Sequence, residues 1–299
     1  MTFSARHSSG SVRSRRSGRR SPSTGPPSDL NATWCELRRS HRSATSAGTE
    51  IVGEVRGQGA ALVLVHGGLG DGNPDNEMLL PFLVNSFACF LMNTRGRGLS
   101  ADGPNHSRER HYEDVATFVD SIGEPAGLFG HSSGGTWALG AASRSRACRR
   151  LALYEPALAV ARPVITDEQY ERFCDAVSAG QVAEAARLSV EAAVEPTAEE
   201  RALFATPGVA ELTEPVLPAV VREFPELNRP LDVASIDSVT VSVLLLHGSR
   251  SGSHFKTAIQ DLHTRLSENE VVEVPTAGHL GPMTHPDAVA AELLRFFRA

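Results

Sequence analysis

The sequence predicts an α/β fold, with a mostly parallel sheet flanked by helices and an inserted all-helical segment. From residue 50 onward, short apolar stretches typical of buried strands alternate with stretches whose apolar residues follow the helical period. The alternation stops at about residue 157 and resumes at about residue 239. A chain of 299 residues, 41% of them hydrophobic, is long enough to bury a core of this kind.

Charge and composition narrow the possible functions. The net charge is −6 although residues 1–28 contain six arginines and no acidic residue, so the rest of the chain is acidic and we expect no nucleic-acid partner. The four cysteines form no Cys-x-x-Cys pair, so neither a zinc site nor a disulfide framework is expected. No apolar run approaches the roughly 18 residues of a membrane span, and no secretory signal is recognisable. We therefore expect a cytoplasmic protein.

Residues 1–48 are rich in Ser, Arg, Gly and Pro and show no apolar period, which is typical of a disordered tail. A basic arm for an anionic surface and a transit-type leader are alternative interpretations, because the segment is rich in arginine and serine. We expect the tail to have no role in chemistry.

The first part of the α/β pattern covers residues 49–156. Residues 61–65 are continuously apolar, which is typical of a strand buried on both faces. Residues 109–122 carry apolar side chains at helical spacing. Predicted strands occupy residues 50–56, 61–65, 87–92, 126–129 and 151–154, and predicted helices occupy residues 76–84, 109–122 and 134–146.

Residues 157–238, the helical insertion, interrupt this pattern. Thr166 with Gln169, and Thr197 with Glu200, have the spacing of capping boxes at helix N-termini. The α/β pattern then resumes in residues 239–299. Its predicted strands are 239–246 and 270–274, and its predicted helices are 253–266 and a last helix from Pro286.

The stretch Gly130-His131-Ser132-Ser133-Gly134 joins a predicted strand to a predicted helix. In that context Gly-x-Ser-x-Gly is the nucleophile-elbow pattern, in which the glycines permit close packing and a strained turn exposes the serine hydroxyl. Ser132 is therefore the candidate nucleophile. The N–H of Ser133, at the helix N-terminus, would face the negative charge that develops during acyl transfer.

A glycine-rich loop, residues 66–72, follows the strand at 61–65. Nucleotide binding is not expected, because Asn73 stands where a third dinucleotide glycine is needed and no Gly-Lys-Ser/Thr follows. The loop can instead offer a backbone N–H, from Gly68 or alternatively Leu69, as a second oxyanion donor beside Ser133.

Four motifs together resemble the α/β-hydrolase fold family over residues 50–299. They are His66-Gly67-Gly68 in the oxyanion loop, Arg95-Gly96-x-Gly98-x-Ser100 in the turn after the next strand, the elbow at Ser132, and Ala277-Gly278-His279 in the histidine loop. The resemblance implies a serine nucleophile and a helical cap, formed by the helical insertion, over the site. It also implies hydrolysis of an ester or related bond without a cofactor.

His279 is the candidate base. A histidine with a pKa near neutrality is suited to take the proton of Ser132, and His279 lies on the loop after the last predicted strand. His131 would project away from the serine hydroxyl, and His66 is expected to brace the oxyanion loop.

The acid that orients the base departs from the family pattern. The family commonly carries Asp shortly after the strand ending at Gly248, but residues 249–253 contain no carboxylate. Glu155 follows the strand after the elbow, at the end of the sheet where ligands bind, and is the candidate acid. Without it, the serine and histidine would act as a dyad. The acids at the wrong end of a strand or within a predicted helix are Asp232, Asp237 and Asp261.

The sequence thus predicts an enzyme, a cofactor-independent serine hydrolase that acts on a small ester, lactone, thioester or similar acyl compound through an acyl-enzyme. No metal is expected, and the oligomeric state is left open. The alternative is a non-hydrolytic relative, either a ligand-binding protein or a lyase that uses the same pocket. The absence of a carboxylate after Gly248 is the best support for that alternative.

Overall fold

A computed structural model of the chain describes residues 39–44, 48–71, 74–206, 208–230 and 233–299. Most of the predicted tail, residues 1–38 and 45–47, lies outside the described residues. The described residues contain an eight-stranded sheet with the strand order β1-β2-β4-β3-β5-β6-β7-β8. The strands are β1 (Arg39–Ala44), β2 (Glu50–Gly57), β3 (Ala60–Val65), β4 (Phe87–Met92), β5 (Ala126–His131), β6 (Cys148–Tyr154), β7 (Ser242–Gly248) and β8 (Asn269–Val274).

The sheet is mostly parallel. The pairs β1–β2 and β2–β4 are antiparallel, and the five pairs from β4–β3 to β7–β8 are parallel. In β3, the residues from Ala61 to Val65 are all buried, as expected when helices cover both faces of a parallel sheet. The predicted fold class is confirmed.

The described helices are α1 (Pro74–Glu77), α2 (Leu80–Leu83), α3 (Arg108–Ser121), α4 (Ser133–Ala142), α5 (Asp167–Ser178), α6 (Val182–Ala193), α7 (Ala198–Phe204), α8 (Val209–Thr213), α9 (Leu217–Leu227), α10 (Val233–Asp237), α11 (Ser253–Arg265), α12 (Gly281–Thr284) and α13 (Pro286–Arg298). Val115 and Phe118 of α3 and Trp137 of α4 share a buried apolar cluster with Val63 and Leu128 of the sheet. Among the described helices, none combines the length and the apolar character that a membrane crossing requires.

Strand β1 differs from the sequence prediction, which placed its residues in a disordered tail. It pairs along β2, and the ring of His41 meets those of Phe90 and Phe118 edge-on, with centroids 5.4 and 5.1 Å apart. An edge strand needs only one packed face, and here a histidine ring supplies part of it. The prediction failed because β1 lacks the apolar alternation by which strands are recognised.

Helices α5 to α10 lie between β6 and β7 and belong to the helical insertion. Both capping boxes are formed. The hydroxyl of Thr166 accepts from Gln169 N–H and that of Thr197 accepts from Glu200 N–H, while each N3 side chain accepts from the backbone of its cap residue. These contacts satisfy N–H groups that have no partner within the helix itself, which explains where α5 and α7 begin.

Candidate active site

Ser132 occupies the turn between β5 and α4 with φ 54° and ψ −123°. A serine at positive φ is strained, and surrounding hydrogen bonds must hold it there. Its N–H donates to the carbonyl of Tyr154 over 3.0 Å, and its carbonyl accepts from Ala157 N–H over 3.0 Å. The turn is therefore fixed to the end of β6 and the start of the helical insertion.

The glycines of the elbow are required by close backbone contacts. A Cβ atom on Gly134 would lie 2.2 Å from the carbonyl oxygen of His66, and one on Gly130 would lie 2.5 Å from the carbonyl oxygen of Gly134. Since real Cβ atoms do not approach so closely, helix α4 can pack against the ends of β3 and β5 only with glycine at both positions. This packing places Ser132 beside the glycine-rich loop.

His66 anchors that loop. Its Nδ1–H donates to the carbonyl of Gly67 over 2.8 Å, and its Nε2 accepts from Thr94 N–H over 3.1 Å. Burial lowers the pKa of His66 to about 3, so the ring is neutral and can make both bonds at once. A Cβ atom on Gly68 would lie 3.8 Å from the Ser133 hydroxyl, so the two candidate oxyanion donors are neighbours.

Glu155 and His279 are in direct contact. His279 Nδ1 lies 2.8 Å from Glu155 Oε2, and the other carboxylate oxygen, Oε1, accepts from Gly248 N–H over 2.7 Å. The His279 ring stacks on Phe255 with centroids 4.2 Å apart. His131, which the sequence analysis set aside, donates from Nε2 to the carbonyl of His279 over 2.9 Å. The imidazole is therefore held by stacking on Phe255, by the contact of Nδ1 with Glu155 and by the hydrogen bond from His131 to the backbone carbonyl of His279.

The electrostatics of this pair favour a neutral imidazole. Burial raises the pKa of Glu155, and the hydrogen bond from Gly248 N–H opposes that rise. Burial lowers the pKa of His279 below its ordinary value. The imidazole is therefore neutral at neutral pH, which is the form that a general base requires.

Two of the other acids considered in the sequence, Asp261 and Asp237, do not bond to this pair. Asp261 is bonded to Arg265 within α11, and Asp237 ends α10. Asp232 lies outside the described residues. The Ser249 hydroxyl accepts from Thr276 N–H and so joins the loop after β7 to the histidine loop. Of the acids considered, Glu155 contacts His279 Nδ1, and residues 249–253 contain no carboxylate.

A cavity of about 290 Å³ lies over Ser132. Gly68, Ser133 and His279 also line it, so the structure brings four of the five site residues predicted from the sequence to one cavity, and the fifth, Glu155, contacts His279. The helical insertion contributes most of the remaining wall. Its apolar lining residues include Val190, Leu203, Val220, Phe224 and Leu227.

Sequence reasoning missed a second role of Glu200. Its Oε2 accepts from Thr197 N–H over 2.7 Å, as the capping box requires, while its Oε1 accepts from Leu280 N–H over 2.5 Å. Beside it, the Tyr154 hydroxyl donates to the carbonyl of Gly278 over 2.7 Å. The helical insertion and β6 therefore hold the backbone on both sides of His279. The spacing Thr-x-x-Glu revealed the cap, but no local pattern could reveal the contact with Leu280.

A buried ion pair also went unrecognised. Arg97 Nη2 lies 2.5 Å from Glu223 Oε2, and Arg97 Nη1 bonds the carbonyls of Gly68 and Gly70. Both side chains are about 1–2% exposed. Burial raises the pKa of Glu223, and the charge of Arg97 opposes this rise. The pair connects the glycine-rich loop to α9 of the helical insertion.

Comparisons with known proteins agree with this architecture. The model of the alpha/beta hydrolase family matches residues 62–292. Among solved structures, the chain is similar to an alpha/beta hydrolase from Sphaerobacter thermophilus, with 28% identity, a TM-score of 0.73, and coverage of 86% of this chain and 100% of that chain. No curated protein gives a significant match.

Two more distant structures share the fold. An esterase from Rhodococcus has 20% identity and a TM-score of 0.66, with coverage of 87% of this chain and 98% of that chain. A bromoperoxidase from Bacillus anthracis has 17% identity and a TM-score of 0.68, with coverage of 87% and 100%. Because the family match extends over most of the chain and the elbow, sheet order and histidine loop agree with it, the chain belongs to the alpha/beta hydrolase family.

Proposed function

We propose that this protein is a cofactor-independent serine hydrolase that cleaves a small ester or related acyl compound through an acyl-enzyme. The observation that carries the proposal is the 2.8 Å contact between Glu155 and His279, with the imidazole facing the cavity that Ser132 also lines. An acid, a base and a strained serine in this relation are the parts that acyl transfer needs.

The proposed reaction proceeds in two stages. Ser132 Oγ attacks the acyl carbonyl while His279 Nε2 takes the hydroxyl proton, and Glu155 stabilises the imidazolium through Nδ1–H. The N–H groups of Gly68 and Ser133 donate to the oxyanion, each expected to contribute about 3 kcal/mol of transition-state stabilisation. His279 then returns the proton to the leaving group. A water, activated by the same histidine, releases the acid and restores Ser132.

The cavity supports a small and largely apolar acyl group. Its volume of about 290 Å³ is at the lower end of ligand pockets. Side chains such as Leu203 and Phe224 line it, and burying each methylene of an acyl chain contributes about 0.8 kcal/mol. Binding should therefore improve with chain length only until the cavity is filled, so we expect short acyl chains to be preferred over long ones.

The binding-protein alternative drew its support from the missing carboxylate after Gly248. Glu155 weakens that support, because its carboxylate accepts from Gly248 N–H and bonds His279. The hydrolase is therefore the better-supported function. The esterase from Rhodococcus adds agreement at the level of fold.

A serine-reactive fluorophosphonate probe and p-nitrophenyl acetate and butyrate test the proposal. We expect covalent labelling at Ser132, mapped by peptide mass spectrometry, and turnover of both esters by the purified chain. Labelling shows that the serine is activated even if neither ester is the right substrate. Absence of labelling together with absence of turnover would overturn the proposal in favour of a binding protein.

Glu200 is expected to act as a positioning residue for His279. Glu200→Gln keeps an oxygen for Leu280 N–H but replaces a charge-assisted bond with a neutral one, so the free energy of unfolding should fall by about 1 kcal/mol. The Glu200 charge also raises the pKa of His279. Activity needs neutral His279 and is lost as pH falls through this pKa. Removing the charge should therefore move the acidic limb of kcat/KM to lower pH.

The matched control is Glu199→Gln, since Glu199 is an exposed neighbour on the same helix α7. We expect its pH profile to overlay that of the wild type, which should have its acidic limb below the ordinary histidine value of 6.5. An unshifted limb in Glu200→Gln would show that the carboxylate serves only to cap α7.

A further inference from the structure

Three buried side chains with unpartnered polar atoms lie together between the core and the helical insertion. The atoms are Nδ1 of His106, Nε2 of His111 and Oε1 of Glu223, and none has a hydrogen-bond partner among the described residues. Each residue offers a ligand atom within 4.8 Å of those of the other two. Buried polar atoms are rarely left unpaired. Three buried residues that cluster in this way, each with an unpartnered polar atom, indicate a shared binding partner.

We propose that these residues form a binding site for a divalent transition-metal ion, with Zn²⁺ as the best fit. Two imidazole nitrogens and one carboxylate oxygen are a ligand set that zinc commonly takes. The sequence-based expectation of no metal site rested on the cysteines, whereas this site uses only histidine and glutamate. None of its three residues belongs to the proposed catalytic triad, so the site stands independently of the proposed hydrolase activity.

The orientation of each ligand is already set by a second contact. His106 Nε2–H donates to Asp102 Oδ1 over 2.8 Å, which leaves the Nδ1 lone pair free. A carboxylate on the far nitrogen is the usual support of a metal-binding histidine. His111 stacks on Trp137 with ring centroids 4.3 Å apart and nearly parallel planes. Glu223 is held through its other oxygen by Arg97.

The charged side chains around the proposed site affect its affinity for a metal cation. Arg97 shares the Glu223 carboxylate, while Arg95 is neutralised by the buried carboxylate of Asp114 over 2.6 Å. Arg222 Nη2 also donates to Asp102 Oδ2 over 2.9 Å. A cation would therefore compete with Arg97 for the Glu223 carboxylate and would experience the charges of Arg95 and Arg222, each of which is paired with an aspartate. We expect weaker binding than in a structural zinc site with four protein ligands, and three ligands leave a fourth position for water.

The three proposed ligands come from two parts of the fold, the core and the helical insertion. His111 lies in α3 and His106 in the loop before it, whereas Glu223 lies in α9 of the helical insertion. A bound ion would join the insertion to the core. Because Glu223 also lines the cavity over Ser132, the ion would fix one wall of the substrate pocket.

Metal content of the full chain, purified without a histidine tag and stripped with a chelator, tests the proposal. After equilibrium dialysis against Zn²⁺, we expect about one ion per chain by mass spectrometry. Co²⁺ in its place should give visible absorption bands of a low-symmetry site. Asp102→Asn should weaken Zn²⁺ affinity by about tenfold. His111→Gln and Glu223→Gln should abolish stoichiometric binding.

His263→Gln is the control, since His263 is an exposed histidine in α11 and should not affect binding. Circular dichroism establishes that each variant is folded. If the wild type failed to retain zinc, the proposal would be overturned whatever the variants do. Water would then be the shared partner of the three unpaired side-chain atoms. Equal loss in His263→Gln would likewise overturn it by showing that surface histidines hold the ion.

Discussion

Ser132→Ala is expected to lower kcat for p-nitrophenyl butyrate by about 10⁴- to 10⁶-fold, the range found when a triad nucleophile is removed. The substitution removes the attacking oxygen but leaves the oxyanion donors and the cavity intact. KM should therefore change little, and the residual rate would come from binding and from the two N–H groups. Steady-state kinetics on both esters measures the effect.

Ser133→Ala provides a neighbouring comparison. The proposed contribution of Ser133 is its backbone N–H, which alanine retains, and alanine is the better helix former at the start of α4. We expect a far smaller loss of kcat than in Ser132→Ala, and unchanged labelling by the fluorophosphonate probe. Comparable loss in the two variants would mean that the elbow, and not the Ser132 hydroxyl, had been damaged.

The parts of the site that sequence reasoning predicted are those with a local signature. Ser132 was predicted from the flanking glycines, which a tightly packed strand-turn-helix requires. His279 was predicted from its place after the last strand. Glu155 required one more step, because parallel strands end at the same edge of the sheet and the residue after β6 must lie near those after β5 and β7. Sheet order thus converts positions far apart in sequence into neighbours.

The parts that were missed depend on contacts across long sequence separations. Glu200 contacts Leu280 and Arg97 contacts Glu223 because the helical insertion folds back over the core. Paired strands have a register that fixes which residues are neighbours, whereas the helices of the insertion have no such register, so these contacts cannot be predicted from the sequence. His106 and Glu223 approach one another for the same reason. Strand β1 was missed because a histidine ring supplies part of its packed face and the strand has no periodic pattern of apolar residues.

Glu155→Gln is expected to lower kcat by about 10⁴-fold, as loss of the triad carboxylate does elsewhere. The hydrogen bonds made by the side chain of residue 155 explain the expected loss of activity. Gly248 N–H donates to Oε1 of residue 155 over 2.7 Å, so the glutamine must turn its carbonyl oxygen toward Gly248. Its amide N–H₂ then faces His279 Nδ1, which can only accept. The ring proton is forced onto Nε2, where it blocks removal of the Ser132 proton.

Glu155→Asp and Asp261→Asn separate the possible causes of that loss. Aspartate keeps the charge but is shorter, so part of the activity should survive, whereas Asp261→Asn should match the wild type because that carboxylate bonds Arg265 on the surface of α11. Fluorophosphonate labelling of Glu155→Gln should slow in proportion to kcat, since both report the proton transfer to His279. Loss of a triad acid usually lowers the rate about 10⁴-fold. If Glu155→Gln kept more than about a tenth of the wild-type rate, Ser132 and His279 would instead act as a dyad or with another acid.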